Sequence, residues 1–143
     1  MSCPVYRAED RAWARSPVFN VAIDDPQAFV DWVAVREPFT TLREKAGLSA
    51  GLLGDVQVTI TAGPPRQRTL ATAYTQLVHI DLHPRGTATQ GLLLHELAHL
   101  CSPIGAHHDH RFAAAYLALV AHWLGAFAAE ELLRQFRAEK AFP

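Results

Sequence analysis

Residues 92–100 read LLLHELAHL, three ionisable side chains set inside a run of leucine. On a helix, residues four apart stand one above the other, so His95 and His99 share a face and Glu96 flanks it. Burying two imidazoles and a carboxylate without partners costs several kcal/mol, and a metal ion is a partner the set can share. This spacing offers two ring nitrogens to one zinc about 2 Å from each. Glu96 is then placed as the general base on a water that the ion activates to a pKa of about 7. Gly91, one turn earlier on the same stripe, either leaves room for a strand or substrate or is tolerated at a cost of up to about 1 kcal/mol.

A catalytic zinc site takes three protein ligands and keeps one position open. Gly105 stands where the extended pattern HExxHxxGxxH has its third histidine, so the third ligand comes from elsewhere. Five of the eight histidines (His95, His99, His107, His108 and His110) fall within sixteen positions. The segment GAHHDHRF follows a turn at Pro103 and can return His107, His108 or His110 to the ion, though not all three. Asp109 suits a helix cap better than a ligand. Glu130 and Glu131 lie beyond an intervening helix among solvated charges. Cys101 reads as a buried, inert thiol. Hydrolysis of an amide also needs a donor for the developing oxyanion, and Tyr116, His110 and Arg111 are the candidates by nearness in sequence. Tyr116 lies two turns after His108 on the same helix face, and it also reads as a core tyrosine.

The remaining sequence predicts an α+β domain with this helix near its centre, and residues 1–143 read as a single domain. Asp25 and Pro26 start a helix whose inner face is Phe29, Val30, Val33 and Ala34. GLSAGLLG reads as a loop. Val56, Val58 and Ile60 alternate with polar neighbours as in a half-buried strand, GPPRQR turns the chain, and TLATAYTQLVHIDL holds one or two more strands before the turn HPRG. Thr87 or Thr89 caps the HELAH helix, which Ser102 and Pro103 end. A second helix begins near His108 or Asp109 and stops at Gly125. The last is amphipathic, with Phe127, Leu132, Leu133 and Phe136 inward.

HExxH, a short turn and then His-x-x-x-Phe resembles the SprT-type zincin metallopeptidases, whose second motif is His-Gly-x-x-Phe. His108-Asp109-His110-Arg111-Phe112 has that spacing. A closer likeness is to a family of short actinobacterial and phage metallohydrolases. VYRAED, AFVDWV, an AxAY strand, LLLHELAHL and HDHRFAAAYLALV have counterparts there in the same order. The resemblance covers most of the chain, and the two histidine motifs are its specific part. It implies a zincin-like minimal metallopeptidase fold, a small mixed β-sheet packed on the HExxH helix with further helices at the C-terminus. It also implies one zinc per chain on His95, His99 and His108, with Glu96 as base. Residues 74–80 would be the edge strand that aligns an extended peptide, with His79 either facing the cleft or exposed and inert. Asp109 departs from the glycine common at its position. The cysteine-rich ribbon and basic tail with which some SprT-type proteins engage DNA have no counterpart, so a DNA-repair role does not carry over.

The expected function is therefore zinc-dependent hydrolysis of peptide bonds in a peptide or protein substrate. A non-catalytic, metal-stabilised interaction module is the alternative that a fourth ligand from His107 or His110 would favour. A regulatory peptidase acting on one protein partner is another, although repressor-cleaving HExxH proteins use a glutamate as third ligand and none occurs between His99 and Phe112. A net charge of −1 gives no electrostatic footprint for nucleic acid or an anionic membrane. No apolar run is long enough for a span, and MSCPVYRAEDRAW lacks the apolar core of a signal peptide, so a cytoplasmic protein is expected. Cys3 and Cys101 form no CxxC pair and no disulfide framework.

Overall fold

A computed structural model describes residues 3–48, 58–63, 71–74, 79–83 and 86–143. Helices α1 (Pro4–Arg15), α2 (Pro26–Ala34) and α3 (Phe39–Lys45) come first, with a single 3-10 turn (Pro17–Asn20) after α1. Strands β1 (Thr59–Ala62), β2 (Ala71–Tyr74) and β3 (His79–Leu82) follow, then α4 (Gln90–Leu100), α5 (His110–Trp123) and α6 (Ala126–Ala138). This is the α+β class expected, with a small mixed sheet. None of the described helices is long and apolar enough to cross a membrane.

The sequence pointed to neither α1 nor α3. The buried stripe of α1 is Val5, Ala8, Glu9 and Ala12, small residues around a carboxylate. Pro4 at its first position and Pro17 just beyond it set its limits. It packs on α6, and Glu139 pairs with both Arg7 and Arg11. Helix α3 brings the buried Arg43 to the end of α4, where the guanidinium donates to the Leu100 carbonyl at 2.5 Å. A cation there satisfies an orphan carbonyl and complements the helix dipole.

The sheet order is β1-β3-β2, with β1 parallel and β2 antiparallel to β3. Register places Ile60, Ala73 and Ile80 on one face and Thr61, Thr72 and Asp81 on the other, the two-residue alternation of a sheet with one covered side. The long β-rich segment thus supplies two strands. Residues 74–80 are not one edge strand: Tyr74 ends β2, whereas His79 and Ile80 open the central strand β3, and 75–78 lie outside the described residues. Along β1, Gln27 of α2 accepts from the Ile60 N–H at 2.9 Å and donates to the Val58 carbonyl at 2.8 Å, covering that edge. β2 is the opposite edge. Val56, nearly all of GPPRQR and all but Gly47 and Leu48 of GLSAGLLG lie outside the described residues.

Helix α4 occupies the centre. The Thr89 hydroxyl caps it by accepting from the Leu92 N–H at 3.2 Å. Every residue from Gly91 to Ala98 is buried, because β2, α5, α2 and the 3-10 turn surround the helix. A Cβ on Gly91 would meet the Phe19 carbonyl and the Trp13 ring at 3.0 Å. Glycine is required here by the close approach of the 3-10 turn and α1, and not by a strand or a substrate. In α6, Leu132 and Phe136 are fully buried as expected, but Phe127 is 70% exposed and Leu133 half-buried. Phe127 lies in the first turn, and the inner stripe runs through Ala128, Glu131, Leu132, Gln135 and Phe136.

Candidate metal centre

Helix α4 stacks His95 and His99 one turn apart. After Cys101 the chain passes Pro103 and reverses over Gly105 and His107, which have positive φ of 88° and 50°. For a residue with a Cβ, that conformation costs roughly 1–2 kcal/mol, and it is spent on the reversal. Asp109 then starts α5, its carboxylate accepting from the backbone N–H groups of Arg111 at 2.8 Å and Phe112 at 3.3 Å. Its φ of −79° is one that any residue adopts.

The residue before this cap, His108, is thereby carried back to α4. Its Nε2 lies 3.2 Å from His95 Nε2 and 3.1 Å from His99 Nε2. His95, His99 and His108 form a group that could hold a metal ion, and no fourth described side chain joins it. His107 and His110 are exposed. A tetrahedral zinc about 2.0–2.1 Å from each nitrogen would hold its ligand nitrogens about 3.3–3.4 Å apart, within a few tenths of an ångström of what is seen. One proton can bridge only one pair of these nitrogens, whereas a cation satisfies all three lone pairs at once.

The fully buried Phe112 forms the floor. Its ring lies 4.9 Å from His95, 4.3 Å from His99 and 4.9 Å from His108, centroid to centroid. That is what phenylalanine four residues after His108 does in this molecule. Phe112→Ala is expected to cost about 3–5 kcal/mol of stability and to loosen all three imidazoles. Thermal unfolding read beside zinc affinity checks this, and an unchanged affinity would show that the rings do not rely on it.

Helix α1, unseen in the sequence, supplies the outer wall. Glu9 Oε2 lies 2.6 Å from His95 Nδ1 and accepts from the Tyr116 hydroxyl at 2.7 Å. The Trp13 indole N–H donates to the Tyr116 oxygen at 3.3 Å. Tyr6 stacks over the His95 ring and meets His108 edge-on, with centroids at 5.9 and 5.0 Å. Cys3 Sγ lies 3.5 Å from His108 Nδ1. A cavity of about 250 Å³ opens beside Glu96 between α1, β2 and α4, lined by Trp13, Ala71 and Leu92, with the exposed Tyr6 and Asp10 also on its wall.

Of the residues singled out beyond the triad, Glu96 is buried and borders this cavity. Tyr116 is fully buried with its hydroxyl committed to Glu9. Arg111 is bound to Asp109 through Nε and Nη2 at 2.9 and 2.6 Å, and His110 is exposed in the first turn of α5. His79 is engaged with Thr59, Thr61 and Asp81 on the polar face of the sheet. Cys101 is buried and its thiol is pushed up to about 12 by burial, as befits an inert core cysteine.

Electrostatics divide the site in two. Burial, reinforced by the neighbouring imidazoles, takes His99 down to about 2 and His108 down to about 4. Both are therefore neutral donors at physiological pH. Burial also pulls on His95, but the charge and hydrogen bond of Glu9 more than offset it, so this ring is raised above its ordinary value. Burial pushes the Glu96 carboxyl up to about 7, with Glu9 adding to it and His95 opposing.

Glu9 strengthens the hold of His95 on a proton, and a cation entering the site must displace any proton bound there. Binding is therefore expected to release protons, and affinity to fall as pH is lowered. His99 and His108 add no competition until far lower pH. Calorimetry in buffers of different ionisation enthalpy reads the count, and a count of zero would contradict it.

Compared with known proteins, the chain matches no family model, no curated protein and no solved structure.

Proposed function

We propose that this chain is a zinc-dependent hydrolase that cleaves peptide bonds, with His95, His99 and His108 as ligands and Glu96 as general base. The observation that carries the reading is the convergence of three Nε2 atoms, with one of the rings, His95, lining a cavity together with the buried Glu96. The charges fit as well. Glu9 and Glu96 are 4% and 5% exposed, so two buried carboxyl groups stand near the point where the imidazoles converge, and a divalent cation there would favour their charged forms. Three protein ligands with no fourth among the described residues favour an open, catalytic position over a closed structural one.

When bound, zinc would supply Lewis acidity and a nucleophile competent near neutral pH. The chain does the rest. Glu96, with a pKa near the working range, takes the proton of the attacking water and passes it to the leaving amine. The cavity beside it, walled by Trp13, Leu92 and Ala71, would receive the substrate next to this base. The backbone of β2, the sheet edge beside α4 among the described residues, would align an extended peptide. The same reading puts the chain among the SprT-like zincins, through the His-x-x-x-Phe spacing that delivers His108 and Phe112 together. The test is hydrolysis of a mixed peptide library by zinc-loaded protein, with chelated protein and Glu96→Gln as controls. Cleavage that needs both the metal and Glu96 supports the reading, and cleavage indifferent to both overturns it.

A further inference from the structure

Two carboxylates besides Glu96 are buried among the described residues, and they differ in company. Glu131 has Arg15 and Arg134 beside it. Glu9 has no arginine or lysine partner among the described residues, and the one group pairing with its charge is the ring of His95. A buried carboxylate costs several kcal/mol unless something compensates it. Tyr116 alone does not justify that cost, since its hydroxyl also lies near the Gly91 carbonyl and the Trp13 indole.

From this geometry we infer that Glu9 is the positioning residue of the metal centre, acting on the ion through His95. The inference rests on the metal site proposed above. With Nδ1 donating to Glu9 at 2.6 Å, His95 keeps its Nε2 lone pair for the point where the three rings converge. The carboxylate fixes the plane of the ring, raises its basicity and places a negative charge behind it. Tyr116 in turn fixes Glu9 at 2.7 Å, with Trp13 behind the tyrosine.

The helix is built for this task along one face. Cys3, Tyr6, Glu9 and Trp13 recur at intervals of three, three and four, the spacing of a single helical stripe. Their contacts fall on His108 Nδ1, on the His95 and His108 rings, on His95 Nδ1 and on Tyr116. The opposite obligations of α1, to α6 and Glu139, hold that stripe in place. The N-terminal helix is thus part of the metal centre and not a cover over it.

The experiment compares wild type, Glu9→Gln and Tyr116→Phe, both near-isosteric changes. Zinc affinity is measured by chelator competition, ring-nitrogen NMR reports the tautomer of His95 in the zinc-loaded proteins, and thermal unfolding serves as the folding control. Glu9→Gln is expected to weaken zinc about 10–100-fold and Tyr116→Phe by less, with both proteins folded. In the wild type, the His95 proton is expected on Nδ1. Affinity in Glu9→Gln within twofold of wild type would overturn the inference while leaving the metal site standing. A His95 proton on Nε2 in the zinc-loaded wild type would take that nitrogen out of the ligand set, and would overturn both the inference and the three-nitrogen site it rests on. A folded wild type that takes up no zinc would instead overturn the metal site itself, and this inference with it.

Discussion

Glu96→Gln protein is expected to bind zinc as tightly as the wild type and to hydrolyse peptides about 10²–10⁴-fold more slowly. Glutamine keeps the shape and the burial of this position but cannot take a proton from water. Glu96 stands next to a ligand in sequence yet outside the group of three that could hold the ion, so its loss should leave metal content unchanged. Without metal its carboxyl is held up to about 7 mainly by burial, and a dication nearby favours its charged form, so the wild-type rate should climb with pH on a limb at or below neutrality as the base becomes ionised. The Glu96→Gln residue has no such titration, and its residual rate should lose that limb. Loss of zinc in this variant would make Glu96 a ligand, and an undiminished rate would remove it from the chemistry.

The second large effect is expected at His108. His108→Ala removes the one ligand that comes from outside α4 and leaves two imidazoles from a single helix turn. Zinc affinity should fall more than about 100-fold, beyond the range typical of residues that act through a ligand. His107→Ala and His110→Ala are the controls, since both side chains are exposed and outside the group. Chelator competition on the four proteins decides it. If His107→Ala or His110→Ala lost the metal and His108→Ala kept it, the reversal at Gly105 and His107 would have been misread.

His99 and His108 show what a sequence can and cannot carry. HELAH was legible because its spacing alone sets two rings on one face, and no distant contact is needed to see it. The caps Asp25, Thr89 and Asp109 were legible for the same reason, since each acts on backbone groups two or three residues away. Choosing among His107, His108 and His110 was different. It depends on positive φ at Gly105 and at His107, and histidine does not advertise that conformation.

Contacts far apart in sequence were the harder part. Glu9 meets His95 across 86 positions and Tyr116 across 107. Its helix buries it beside Val5, Ala8 and Ala12, and nothing local marks its pairing with residues so far along the chain. Tyr116 could be placed on the right face of α5 from spacing, but its partner could not, and the partner sets its role. Gly91 was noticed for its cost and explained only by Phe19 and Trp13, which the chain delivers from elsewhere. The sheet region was legible as strands but not as order. Only the pairing of β3 between β1 and β2 shows that His79 lies on the central strand and that β2 is the edge next to α4.

Everything functional in this account depends on an ion at the meeting point of His95, His99 and His108, so its presence is the measurement to make first. Elemental analysis of the purified wild-type protein, after exposure to zinc and removal of excess, is expected to find one zinc per chain, and His108→Ala treated alike is expected to have lost it. A folded wild-type protein with no bound metal after the same treatment would contradict the account and leave LLLHELAHL as a core helix with a polar seam.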